Sequence, residues 1–253
     1  MILDDFSLQG KVAVVTGSST GLGQGFCLGF AEAGADIVGV DYVDSTETQK
    51  QVEALGRKYL NIKADLMTIA PIQQIVEKAV ETFGHVDILM NNAGIIRRVD
   101  AIDFSEKDWD DVMSINAKTV FFFSQAVARQ FIKQRTGGKI ISIASMLSFH
   151  GGIRIPSYTA SKSSVMGITK AMANEWAKHN INVNAIAPGY FATNNTAPLR
   201  ADKQRSEAIL ERIPAGRWGT PEDLKGTAVF LASKASDYLH GYTIAVDGGW
   251  LAR

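Results

Sequence analysis

Seven short apolar runs recur along the 253-residue chain, bounded by turn-forming residues and separated by longer stretches of helical period. They are KVAVVT (11–16), DIVGVD (36–41), YLNIKAD (59–65), VDILMNN (86–92), GKIISIAS (138–145), INVNAIAP (181–188) and YTIAVDG (242–248). Their β-branched content and near-continuous apolarity suit strands covered on both faces, and the stretches between them are long enough for crossover helices. The pattern predicts an α/β fold: an open, doubly wound parallel sheet of about seven strands flanked by helices, with right-handed crossovers. No internal repeat, low-complexity tract or Pro/Gly/Ser linker divides the chain, so residues 1–253 are expected to form a single domain. One long polar segment, 189–215, follows a strand and is expected to act as a mobile substrate loop.

Charge narrows the partners. Lys plus Arg equals Asp plus Glu at 26 each, with no basic run, so neither a nucleic acid nor an anionic membrane is expected, and a small molecule is. The N-terminal MILDDFSLQGK has no basic n-region or long apolar h-region, and no stretch is apolar over the roughly 18 residues of a spanning helix, so a cytoplasmic location is expected. The lone Cys27 sits in an amphipathic pattern and reads as a buried structural thiol. His85, His150, His179 and His240 lack metal-ligand spacing, and no metal is expected.

The first strand runs straight into TGSSTGLG, which places Gly17, Gly21 and Gly23 ahead of a helix rich in small and apolar residues. Glycines here permit a sharp turn, let a pyrophosphate approach the backbone and point helix N-terminal amides at negative charge. The G-x-x-x-G-x-G spacing departs from G-x-G-x-x-G, and a tight βα turn without a ligand would use the same residues. Asp41 ends the second strand about 20 residues further on, where a carboxylate accepts from ribose hydroxyls and repels a 2′-phosphate. Tyr42 and Ser18 stand where a basic residue would be needed for that phosphate, so NAD is expected over NADP. A strand-end or capping acid is the structural alternative.

Further on come NNAG (91–94), Asn116 in MSINAKTVFF, Ser145 in ISIAS, Tyr158 and Lys162 in YTASK, and Pro188–Gly189. With TGSSTGLG, these motifs in this order resemble the short-chain dehydrogenase/reductase family from end to end. The resemblance implies a Rossmann-type fold, an NAD(P)-type cofactor and a homotetramer. It implies that Gly17, Ser19, Gly21, Leu22, Gly23, Pro188 and Gly189 contact the cofactor and that Asp65 and Leu66 flank its adenine. Asn92, Ala93 and Gly94 would line the adenosine side, and Thr193 would meet the nicotinamide carboxamide.

Alcohol oxidation needs a base at the hydroxyl and a donor that holds its oxygen. Tyr158 and Lys162 are one helical turn apart, so this cation, together with a positive nicotinamide ring, can favour a phenolate whose ordinary pKa is about 10. Ser145, at a strand's carboxyl edge, can hold the substrate oxygen. The resemblance adds Asn116 as the anchor of a water that links Lys162 to solvent. Taken singly, Ser145 could cap a helix, Asn116 could bridge backbone groups and Lys162 could be a solvated surface residue.

NNAGIIRR, FSEKDWDDVM, ASMLSFHGGIRIPSYTASK, MANEWAKHNINVNAIAPGYFATNNT, RIPAGRWG and AVDGGWLAR resemble family members that interconvert secondary alcohol and ketone on keto-deoxy sugar acids during bacterial uronate breakdown. Arg97, Arg98 and Arg154 offer guanidinium groups for a substrate carboxylate, with Arg154 closest in sequence to Tyr158; surface or subunit contacts are the alternative. Another keto acid, a polyol or an acyl thioester remains open as substrate, as does an NAD-binding module without turnover. The apolar content near 105–135 and 156–179, including Phe121, Phe122 and Phe123, suggests self-association through helix faces.

Overall fold

A computed structural model describes residues 1–253. All seven expected strands form: β1 (Val12–Thr16), β2 (Asp36–Asp41), β3 (Tyr59–Lys63), β4 (Ile88–Asn91), β5 (Gly138–Ile143), β6 (Ile181–Pro188) and β7 (Thr243–Val246). They make one sheet in the order β3-β2-β1-β4-β5-β6-β7, parallel throughout. The order reverses between β1 and β4, which opens a crevice beyond their carboxyl ends, where ligands of such sheets bind.

Strand apolarity is explained by the two layers around the sheet. In β1, Ala13 and Val15 face a core shared with α1 (Gly21–Glu32), α2 (Thr46–Ala54) and α9 (Glu222–Ala232). Val12 and Val14 face the other core, shared with α3 (Ile72–Phe83), α5 (Thr119–Gln134) and α6 (Pro156–Trp176). Each core holds 21 buried residues, so neither face of the central strands can tolerate an alternating polar pattern. No helix is long and apolar enough to cross a membrane. Phe123 is fully buried in the second core, and Phe121 and Phe122 pack against it, which accounts for much of the apolar run.

Two local features position the site. α4 (Glu106–Met113) passes into α5 through a π-helical turn, Ser114–Lys118, a widened turn that puts Asn116 inside the protein with no exposed surface. The segment after β6 is largely helical, with α7 (Ala197–Ala201) and α8 (Lys203–Arg212). A smaller core of Met146, Leu147, Ile155, Ile209, Ile213 and Trp250 ties α8 to the loop before α6 and to the C-terminus.

Candidate active site

A cleft of about 600 Å³ opens at the β1/β4 reversal, within the range of cofactor and ligand sites. Its wall contains Gly17, Ser19, Gly21, Leu22, Gly23, Asp41, Asp65, Leu66, Asn92, Ala93, Gly94, Tyr158, Lys162 and Thr193 from the sequence-predicted set.

The floor of the cleft is the start of α1. Its N-cap Thr20 makes no side-chain capping bond and its first turn carries no acid, so amides at this end keep their donors for a ligand. Gly17 and Gly21 have φ of 69° and 59°, the left-handed region that favours glycine. At Gly23 a Cβ would come within 1.8 Å of the Gly17 carbonyl, so the loop and helix approach this closely only without a side chain. This bare, uncapped cradle fits a dinucleotide pyrophosphate.

Beside the cradle, Asp41 accepts from the Ser19 amide at 2.9 Å and the Tyr42 amide at 2.7 Å. These bonds fix the carboxylate at the edge of the cleft, which no arginine lines. Lys63 is the register partner of Asp41 on the neighbouring strand. Asn92 ties β4 to β1 by donating to the Thr16 carbonyl at 2.9 Å. Pro188 and Gly189 lie outside the cleft wall. Pro188 is buried at the end of β6, and a Cβ on Gly189 would meet the Asp247 backbone at 2.6 Å, so that glycine is explained by packing against the end of β7. From the turn that follows them, Thr193, Asn194 and Asn195 line the wall.

At the catalytic end, α6 presents Tyr158 and Lys162 on one face. The ammonium lies 5.7 Å from the Tyr158 ring centroid and donates to the Ile143 carbonyl at 2.6 Å. Lys162 is only 4% exposed, and this desolvation brings its pKa down to about 8. Burial pushes the Tyr158 phenol above its ordinary value, opposed by the Ser145 hydroxyl and the Arg98 charge. The expected lowering, by Lys162 together with a nicotinamide ring, concerns the loaded site; in the chain by itself desolvation of the phenol dominates. Ser145 lies two residues past β5, nearly buried, and its Oγ accepts from the Leu147 amide at 3.2 Å. Asn116 clasps Ile95 from both sides, accepting from its amide and donating to its carbonyl, each at 2.9 Å, and donates to Ser161 at 3.1 Å. It thereby holds the NNAG turn, where a Cβ on Gly94 would lie 2.9 Å from Asn116 Oδ1 and 3.8 Å from Lys162 Nζ.

The three candidate arginines separate cleanly. Arg97 pairs with Asp108 at 3.3 Å and reaches Asp111 at 3.7 Å. Arg154, at φ 66°, pairs with Asp100 at 2.9 Å, and its side chain is 59% exposed. Arg98 has a neutral partner, the Asn195 carbonyl at 3.0 Å, and its charge acts on both Tyr158 and Tyr190.

Sequence reasoning missed the aromatic wall beyond Tyr158. Tyr190 stands edge-on to Trp218 at 5.4 Å and to Trp250 at 4.8 Å, and Trp250 donates to His150 at 3.0 Å. Their signal was an aromatic residue after or between glycines on strand-end loops: PGY, GRWG and GGW. Cys27 is fully buried as expected, and burial pushes its thiol pKa up.

Residues 11–204 match the family model described as short chain dehydrogenase. The chain is 71% identical over 253 residues to the 2-dehydro-3-deoxy-D-gluconate 5-dehydrogenase of Escherichia coli, covering 100% of both. It is 53% identical to the enzyme of the same name from Bacillus subtilis, covering 99% of this chain and 98% of that one. A solved structure from Agrobacterium tumefaciens, provisionally described as a 2-deoxy-D-gluconate 3-dehydrogenase with bound NADP, is 52% identical, with a TM-score of 0.93 over 99% of this chain and 100% of that one.

Proposed function

The chain belongs to the short-chain dehydrogenase family and is an oxidoreductase, and from that premise we propose that it interconverts a secondary alcohol and a ketone on a keto-deoxy sugar acid, 2-dehydro-3-deoxy-D-gluconate and its diketo form, with NAD. The observation that carries this reading is Arg98. It is a guanidinium without a carboxylate partner, close enough to Tyr158 to act on its phenol. The acid end of such a substrate would neutralise it while a hydroxyl further along the chain meets Tyr158. Full-length identity to relatives named for that reaction supports the same assignment.

A bound nicotinamide dinucleotide would supply the hydride acceptor. The residues that would hold it are the amides at the start of α1, Asp41 at the ribose, Asp65 and Leu66 at the base, Asn92 to Gly94, and Thr193. NAD is proposed because Asp41 presents a fixed carboxylate and no arginine lines the cleft. The Agrobacterium tumefaciens relative with bound NADP makes this a point for direct assay.

In the proposed chemistry Tyr158 Oη takes the hydroxyl proton, and Ser145 Oγ donates to the same oxygen and steadies it as charge develops. Lys162 has a pKa near 8, so it can lose and regain a proton close to neutrality and return Tyr158 to its starting state. Asn116 fixes the main chain at Ile95 and with it the opening beside Lys162. The segment 189–215 would cover the substrate.

The test is turnover followed at the reduced-nicotinamide absorbance band with NAD or NADP and a panel of sugar acids, polyols and acyl thioesters. The expected result is the highest kcat/KM with NAD and a keto-deoxy sugar acid. Comparable rates on uncharged polyols would overturn the assignment.

A further inference from the structure

Ser145 is clasped by one residue three positions on. Its amide donates to Ser148 Oγ at 3.2 Å, and its carbonyl accepts from the Ser148 amide at 2.9 Å. The Ser148 hydroxyl sends its own proton the other way, to the Lys162 carbonyl at 2.6 Å. The directions are fixed by chemistry: an amide N–H only donates and a carbonyl only accepts, so the one hydroxyl is satisfied on both sides. Lys162 is thereby tied on either side of Ser145, through Nζ to the Ile143 carbonyl and through its own carbonyl to Ser148. Ser145 Oγ meanwhile accepts from the Leu147 amide at 3.2 Å, which leaves its proton for a ligand oxygen. One half-buried side chain thus joins the main chain of Ser145 to the turn of α6 that carries Tyr158 and Lys162.

We propose that Ser148 is a positioning residue for the reaction: by bridging the Ser145 amide and the Lys162 carbonyl it sets where Ser145 Oγ stands relative to Tyr158, so that one substrate oxygen can meet both. The inference rests on the chemistry proposed for Ser145, Tyr158 and Lys162, and goes beyond it by assigning a residue that acts only through theirs. Ser145 belongs to a strand end and Tyr158 to a helix, so their separation depends on how the two elements are joined. The join is a single 3₁₀ turn, Met146–Ser148, whose own hydrogen bonding is of poor geometry and needs an anchor outside it. A donor displaced by about 1 Å can cost about 10²-fold in rate, which gives the anchor a kinetic consequence.

The experiment measures kcat and KM for NAD with a keto-deoxy sugar acid in the full-length enzyme and in Ser148→Ala, Ser148→Thr, Ser145→Ala, the Ser145→Ala/Ser148→Ala double variant and Ser164→Ala. Ser164 donates to the Ser161 carbonyl at 2.7 Å, the same kind of bond on the same helix without a link to Ser145. Ser148→Ala is expected to lower kcat about 10-fold, part of the full cost of a misplaced donor. KM for NAD should stay within about twofold, since the interaction matters only at the chemical step. Ser148→Thr keeps the hydroxyl and should recover most of the loss, and Ser164→Ala should match the wild type. In the Ser145→Ala background, adding Ser148→Ala should change kcat by less than about twofold, because the group it positions is already gone. Wild-type kcat in Ser148→Ala, a threonine variant as slow as the alanine one, or losses that simply add in the double variant each overturn the assignment while wild-type turnover leaves the parent reading standing. Absence of wild-type turnover on any sugar acid overturns the parent reading and the positioning role with it.

Discussion

The two ends of the cleft are built on different plans. The nucleotide end draws its central groups from one βαβ unit: Gly17, Gly21 and Gly23 in a single loop and Asp41 at the end of the next strand. The substrate end is assembled from widely separated segments: Arg98 after β4, His150 before α6, Tyr190 after β6, Trp218 before α9 and Trp250 after β7. A contiguous turn that must bend sharply and stay uncapped imposes its residues on a short string of sequence. A wall made by loops converging from several strand ends imposes only size, charge and polarity, one residue at a time.

The largest expected effect breaks the comparison at its junction, Tyr158, which serves both ends. Tyr158→Phe removes the hydroxyl and leaves the ring that packs with the small core. Turnover should fall by about 10²–10⁴, the range of a lost general acid or base. Dissociation of NAD, followed by fluorescence quenching, should stay within about threefold. A variant that keeps more than a tenth of wild-type kcat would remove Tyr158 from the chemistry.

Next in size is the substrate end alone. Arg98→Ala should raise KM for the sugar acid about 10–100-fold, as expected for a hydrogen bond to a charged group of about 1.5–3 kcal/mol. KM for NAD should be unaffected. Arg154→Ala, which breaks only an exposed pair with Asp100, should change neither by more than about twofold. Equal effects of the two variants would return the carboxylate to an undivided cluster of loop arginines and erase the distinction drawn between them.

The contrast in legibility follows the same division. The seven strands could be read because burial on both faces forces long apolar runs, and the observed spans differ from the expected ones only by a few residues at strand ends. Asp41 could be read because strand length and helix length fix its distance from the glycine loop. The pairing of Arg154 with Asp100 could not be read, because neither its positive φ nor an ion pair between loop residues follows any spacing rule. Asn116 could be singled out by motif, but its burial depends on a π-helical turn for which the sequence carries no periodic signal. Segment 189–215 looked like a polar loop because α8 is an exposed helix that buries only Ile209 along its length.

At the nucleotide end, Asp41→Ser tests cofactor choice. Removing the carboxylate should raise kcat/KM for NADP relative to NAD by about 10-fold, the equivalent of roughly 1.4 kcal/mol. Lys63, its register partner on the edge strand, is then free of the intervening negative charge. Adding Lys63→Met should reverse much of that gain. A ratio that does not move in Asp41→Ser would show that selectivity lies elsewhere in the cleft.

The smallest effect concerns the stability held back where the two ends meet. Lys162 is buried as a cation against one carbonyl, and its pKa falls from 10.5 to about 8. A folded-state pKa below the unfolded one means that the unfolded chain binds more protons, so this group destabilises the fold below pH 8 and the penalty fades as pH rises toward 10.5. The full penalty at neutral pH is roughly 3 kcal/mol by linkage. Lys162→Met abolishes it and keeps the apolar stem, but it strands the Ile143 carbonyl, at a cost of about 1–3 kcal/mol. The difference leaves the variant about 1 kcal/mol more stable near pH 7, or about 2–4 °C in Tm for a chain of this size. Repeating the melt at pH 8, 9 and 10 should see that advantage shrink and then reverse, because neutral Lys162 keeps its hydrogen bond without the charge. A constant gap across this range, or a less stable variant at pH 7, would mean that the ammonium is better solvated in the cleft than its 4% exposure implies.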